Sequence, residues 1–152
     1  GTGGNHQAPK RRHSRPASPD CGTRAVKITA EEAREYFAHP SQQGHALDPA
    51  SLPDEGFLYY ASGPICGAFH QMPWPGLWMA HYGTKPEGWG RLVQPARAIL
   101  EQFTHDTGAF RVLGWTPAEN RAACAFARRL GFVEDGRMPV EGGEIIMQGW
   151  QK

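Results

Sequence analysis

Lys85-Pro86-Glu87-Gly88-Trp89-Gly90-Arg91 opens one amphipathic helix, and a second follows in the stretch from Asn120 to Leu130-Gly131-Phe132. Read together, the two stretches describe a cradle for an anion. Two glycines in the first turn let backbone amides approach a ligand closely. A helix starting at Arg91 aims unpaired N–H groups and a partial positive charge at the same spot. Such a spot suits phosphates.

The helical reading rests on spacing. Leu92, Val93, Ala96, Ile99, Leu100 and Phe103 fall on one face at a 3.6-residue period. Pro95 fits a helix that begins near Gly90, because the first four N–H groups have no intrahelical acceptor to lose. In the second helix Ala123, Phe126, Ala127 and Leu130 form the apolar stripe, Gly131 stops it, and Thr116-Pro117 reads as a cap and first-turn proline.

Working outward, residues 23–28 read as a strand, and Thr29-Ala30-Glu31-Glu32 as a capping box opening a helix to about Ala38. Residues 41–55 form a polar loop with Pro49, Pro53 and room for one helical turn. Strands follow at 57–62 and 65–71, joined tightly at Gly63-Pro64, and a third at 77–82 after the turn Met72-Pro73-Trp74-Pro75-Gly76. A strand over 110–115 lies between the two helices, and 133–138 pairs with 144–150 around Glu141-Gly142-Gly143 as a closing hairpin. The order is strand, helix, three strands, helix, strand, helix, two strands.

At 152 residues with 39% apolar and 11% aromatic side chains, the chain suits one domain with a single core. No apolar run approaches the roughly 20 residues that span a bilayer, and no secretory signal opens the chain. Cys21, Cys66 and Cys124 are an odd number at wide spacing without a CxxC, so neither a disulfide framework nor a zinc site is indicated and a reducing, cytoplasmic setting is expected. Residues 1–22 carry Lys10, Arg11, Arg12 and Arg15 against Asp20 and almost no large apolar side chain, so they read as a flexible basic tail ahead of a domain at 23–152. Without those five charges the body holds 12 basic and 14 acidic side chains, a formal −2, which argues against general nucleic-acid binding.

At this point the residues carry a likeness. Lys85-x-x-Gly88-x-Gly90, with Asn120-x-x-Ala123 and Leu130-Gly131-Phe132 in the right order, resembles the GNAT-type N-acetyltransferases, whose acetyl-CoA turn is patterned Q/R-x-x-G-x-G/A. His81-Tyr82-Gly83 ahead of Pro86-Glu87-Gly88 is similar to members encoded by phages and prophages. The likeness covers about residues 23–150. It implies an α+β (mixed α/β) fold with a central, mostly antiparallel, mixed and twisted sheet of about six to seven strands, flanked by three to four helices.

The resemblance further implies acetyl transfer from acetyl-CoA, as cosubstrate, to a small-molecule or peptide amine by direct attack. It places Tyr82, Gly83, Lys85, Gly88, Trp89, Gly90, Arg91 and Asn120 on the cofactor. The backbone N–H of Tyr82 would face the thioester oxygen. Two departures bear on chemistry. The family's Tyr seven residues after the helix-start Asn is Ala127 here, and no carboxylate lies in 77–82, which leaves His81 as the nearest base. A base is needed because an alkyl amine with pKa near 10.4 is protonated at pH 7.

His81 reads equally as that base or as a sheet residue bonded to a carbonyl, and by alternation it points opposite to Ala80 and Tyr82. His70 is a second candidate base with a structural reading favoured. Glu87 must point to solvent or pair with Arg91. Trp74, Trp78, Trp115 and Trp150 read as packing, Cys124 as a small buried side chain, and Arg128-Arg129 as a solvated face. The seven histidines lack ligand spacing, so no metal is expected. The alternatives are a catalytically silent acyl-CoA-binding or protein-interaction module of the same fold, and a nucleic-acid module using the basic tail. A membrane partner is not expected, and a homodimer is left open.

Overall fold

Capping settles where the first helix begins. Thr29 accepts from the Glu32 N–H at 3.2 Å while the Glu32 carboxylate reaches back to the Thr29 N–H and hydroxyl, which opens α1 (Ala30–Phe37) directly after β1 (Val26–Ile28). The structure, a computed structural model, describes residues 3–4, 24–40 and 47–152. The basic tail is outside the described residues except for Gly3 and Gly4, and so are residues 41–46 of the polar loop. That loop's expected helical turn is a 3-10 turn at Pro49–Ser51, capped by Asp48.

The remaining elements are β2 (Phe57–Ser62), β3 (Ile65–Gln71), β4 (Leu77–Thr84), α2 (Val93–Thr107), β5 (Arg111–Pro117), α3 (Arg121–Leu130), β6 (Val133–Val140) and β7 (Gly143–Gln151). They occur in the order the sequence pattern implies. One seven-stranded sheet runs β1-β2-β3-β4-β5-β7-β6, antiparallel except for β4 and β5. That parallel pair is connected through α2, as parallel neighbours must be through a crossover.

Strand alternation divides the core in two. Tyr60, Phe69 and Ala80 face α2, where Phe69 stacks on Phe103 with centroids 3.9 Å apart and Tyr60 meets Phe103 edge-on. Leu130, Phe126 and Ala127 bring α3 onto the same side. Tyr59, Ala61, Cys66 and Ala68 face the other way, under Ala30, Ala33 and Phe37 of α1.

Several strand ends differ from the sequence reading by one to three residues, β4 running on to Thr84 and β5 to Pro117, and two further departures concern the helices. The second helix starts at Val93, with Leu92 before it, rather than at Arg91, because Pro86–Gly88 closes a 3-10 turn and Gly90 adopts φ +88°. Pro95 is then the third helical residue, still among those whose N–H has no helical acceptor. Thr116-Pro117 does not cap α3. Both residues pair with β7, Thr116 donating to Gln148 Oε1 at 3.2 Å, and Asn120 supplies the cap instead.

Candidate functional site

The site is produced by a short ladder. β4 and β5 pair only at Leu77–Met79 with Arg111–Leu113, while β5 stays paired to β7 as far as Pro117. From Ala80 and Gly114 onward the two strands part, and backbone groups on the facing edges leave the sheet ladder. A cleft of about 150 Å³ occupies the gap. Ala123, Phe126, Ala127 and Leu130 of α3 line it on one side of the sheet, and Phe37 and Leu47 on the other, with His81 and Tyr82 between. The apolar stripe of α3 therefore lines a cleft besides meeting the core.

Tyr82 lies on the α2–α3 face, edge-on to Phe69 and Phe126 with centroids 6.3 and 6.1 Å away. Its hydroxyl is buried and has no hydrogen-bond partner among the described residues. Burial, with a smaller contribution from Cys66, pushes its pKa well up, so the hydroxyl keeps its proton. An unpaired buried hydroxyl costs about 1–3 kcal/mol, and a polar acceptor in the cleft would relieve it. Gly83 is on the opposite face, beneath the Phe37 ring, where a Cβ would come within 2.7 Å.

The glycine turn is folded more tightly than an open anion nest. The Gly88 N–H donates to Lys85 O, the Trp89 N–H to Pro86 O and the Arg91 N–H to Gly88 O. Three of the expected phosphate donors are thus spent within the turn. Gly90 and the first residues of α2, Val93 and Gln94, keep amides without a helical acceptor. Gly88 is glycine for a second reason, since a Cβ would fall 2.2 Å from Pro64 Cγ. Lys85 Nζ is 2.9 Å from Glu35 Oε1 and lies 4.4 Å above the Tyr36 ring, which ties it to α1. Arg91 donates to the Glu87 backbone carbonyl at 3.4 Å rather than to its carboxylate. Trp89 is half exposed and donates its indole N–H to Thr84 Oγ1 at 3.2 Å. Asn120 caps α3, accepting from the Ala123 N–H at 3.1 Å, and is otherwise exposed beside the cleft residue Ala123.

His81 points to the α1 face, opposite to Tyr82 as alternation requires. Its Nε2 is 3.3 Å from His70 Nε2, and the two rings lie nearly parallel with centroids 5.4 Å apart. Burial lowers the His70 pKa, and a backbone hydrogen bond at Gln71 opposes the shift.

The four tryptophans that read as packing divide into two pairs. Trp74 and Trp115 are not packing residues: they are 73% and 44% exposed, and Trp115 borders the cleft. Trp78 and Trp150 do pack against the core. Cys124 is buried, and Arg128 and Arg129 are exposed. Among the described residues no cluster of three or more His, Cys, Asp or Glu could hold a metal ion, and no helix is long and apolar enough to cross a membrane.

No family model matches the chain, and neither does any curated protein. Solved structures do. A GNAT-family acetyltransferase from Bacillus anthracis aligns with TM-score 0.64 at 11% identity, over 84% of this chain and 95% of that one. The ribosomal-protein-S5-alanine acetyltransferase of Vibrio fischeri gives 0.63 at 12% identity, over 84% and 91%. The aminoglycoside acetyltransferase AAC(6')-Ib, solved with paromomycin and acetyl-CoA, gives 0.65 at 14%, over 85% and 93%. The fold is therefore that of the GNAT acetyltransferases, as the motif order implies.

Sequence reading missed the His70–His81 contact, although register contained it. Ala68 lies opposite His81, so His70, two residues on, is its diagonal neighbour on the same face. The Lys85–Glu35 pair joins residues 50 apart, and no local pattern announces it.

Proposed function

We propose that this protein is an acetyl-CoA-dependent N-acetyltransferase acting on an amine by direct attack. The observation that carries the reading is the parting of β4 from β5, which opens one cleft to both faces of the sheet. A donor thioester and an acceptor amine can then meet from opposite sides. The likeness of fold to acetyltransferases, one of them solved with acetyl-CoA and an aminoglycoside, supports it.

In this reading the pantetheine arm pairs with the free edge of β4 at Ala80 to Tyr82, whose backbone N–H faces the thioester oxygen and stabilises charge developing there. The Tyr82 hydroxyl supplies a second donor, directed at the leaving sulfur. Gly90 and the opening amides of α2, with Arg91 and Lys85 nearby, receive the pyrophosphate, and Asn120 flanks the far end of the arm. Gly83, Gly88 and Trp89 shape this turn and strand. The acceptor enters beside His81, which takes its proton. The same cleft would serve an acyl-CoA binder without turnover, a reading favoured by Ala127 where the family's Tyr would stand.

Titration calorimetry with acetyl-CoA, followed by thiol release with a panel of small amines and peptide N-termini, tests both. Binding with release supports transfer; binding without release from any acceptor selects the silent module; absence of binding ends both. His81→Gln is expected to lower kcat/KM by about 10²-fold or more while leaving acetyl-CoA affinity within about twofold.

A further inference from the structure

Two imidazoles facing each other through the same ring atom form an arrangement of their own. His81 and His70 approach Nε2 to Nε2 at 3.3 Å with planes only 14° apart, and Phe57 flanks His70 at 4.9 Å. Both residues are half-buried, so each retains some contact with solvent. Two neutral imidazoles can hold this contact in one way only: one presents N–H and the other a bare nitrogen. His81 also borders the cleft, whereas His70 does not.

We propose that His70 is a positioning residue for His81, accepting from it and sharing the charge it takes up, so that the two act as one base. The inference rests on the transferase reading above. The acceptor ammonium gives one proton to the imidazole of His81. The freed lone pair forms the C–N bond to the acetyl carbon, the C–S bond breaks with its electron pair on sulfur, and the second amine proton ends on the thiolate. His81, now cationic, donates its Nε2–H to His70 Nε2. The bond of His70 to the Gln71 backbone holds its outer N–H, which leaves Nε2 bare to receive that hydrogen, and one proton leaves the half-exposed pair to water.

The surroundings keep His70 neutral at rest, as an acceptor for the N–H of His81. Phe57 supplies apolar cover for His70, and Phe37 and Leu47 line the cleft with His81. The titratable groups on the elements packed on this face are Tyr59, Cys66 and, from α1, Glu31, Glu32, Arg34, Glu35 and Tyr36, with Asp54 in the preceding loop. Tyr59 donates to Pro53 O at 2.6 Å, and Glu35 is paired with Lys85. Burial pushes the Cys66 thiol up to about 12. His70, unlike a carboxylate in that position, is neutral before the reaction, so it accepts from His81 without holding a proton there permanently.

The test uses the full chain with His70→Phe, which keeps an aromatic ring against Phe57, and His70→Gln, which keeps an acceptor. Imidazole NMR titration of the wild type and both variants is read alongside kcat and KM against pH. In His70→Phe the His81 titration is expected to move down by about 0.5 pH unit or more, with the acid limb of kcat following it. The kcat should fall about tenfold at unchanged KM for acetyl-CoA, and His70→Gln should recover part of both. An unchanged His81 titration in folded His70→Phe overturns the proposal, whether or not an acceptor has been found. So does an unchanged kcat profile in an active protein. Loss of transfer activity in the wild type, with the NMR coupling intact, refutes the transferase reading alone.

Discussion

Gly88 sits so close to Pro64 that a single methyl group has nowhere to go. Gly88→Ala is expected to destabilise the protein by about 1–3 kcal/mol, through overpacking at the start of the turn. Gly90→Ala, where the space is open but φ is +88°, should cost about 1 kcal/mol through strain alone. Denaturant midpoints of the two variants check both figures, and a neutral Gly88→Ala would mean that Pro64 moves freely. His70 makes a prediction of another kind. Its folded pKa is lowered by burial, so the unfolded chain binds that proton at higher pH than the native chain does. This contribution to stability is complete above the unfolded value near 6.5 and is lost as pH falls from there through the lowered folded value. Unfolding at pH 7.5 and 5.5 should therefore show a smaller loss in His70→Phe than in the wild type.

Elements with their own start and stop signals were legible in the sequence, and those decided by partners were not. Thr29 with Glu32 and Gly131 each act within four residues, and both ends fall where local chemistry puts them. The cap of α3 was misplaced because Thr116-Pro117 looks like a helix start in isolation. Pairing with Ile145 and Ile146 of β7 keeps those residues in strand, which only the folded sheet supplies. Asn120 is the working cap, and Asn120→Ala should cost about 1 kcal/mol in urea unfolding, with the native secondary structure retained by circular dichroism. The same division applies to the site. The glycine turn could be read as a motif, but the use of its Gly88, Trp89 and Arg91 amides within the turn depends on backbone geometry that no residue pattern states.

At the scale of the whole molecule, the cleft depends on α3 carrying small side chains where it crosses the gap. Ala127→Trp places a large ring there and is expected to weaken acetyl-CoA binding at least about tenfold without unfolding the sheet. Thermal unfolding reads both halves of that statement. Saturating ligand at about 100 times Kd should stabilise the wild type by about 2.7 kcal/mol, and the same concentration should do far less for the variant. The three residue pairs that join β4 to β5 carry a mechanical consequence as well. They divide the sheet into two plates, β1 to β4 and β5 to β6, held by a short seam and by the packing of α2 on α3. Pulled between β2 and β7 in a single-molecule experiment, the protein should tear first along that seam, and a bound ligand bridging the plates should raise the force at which it gives way.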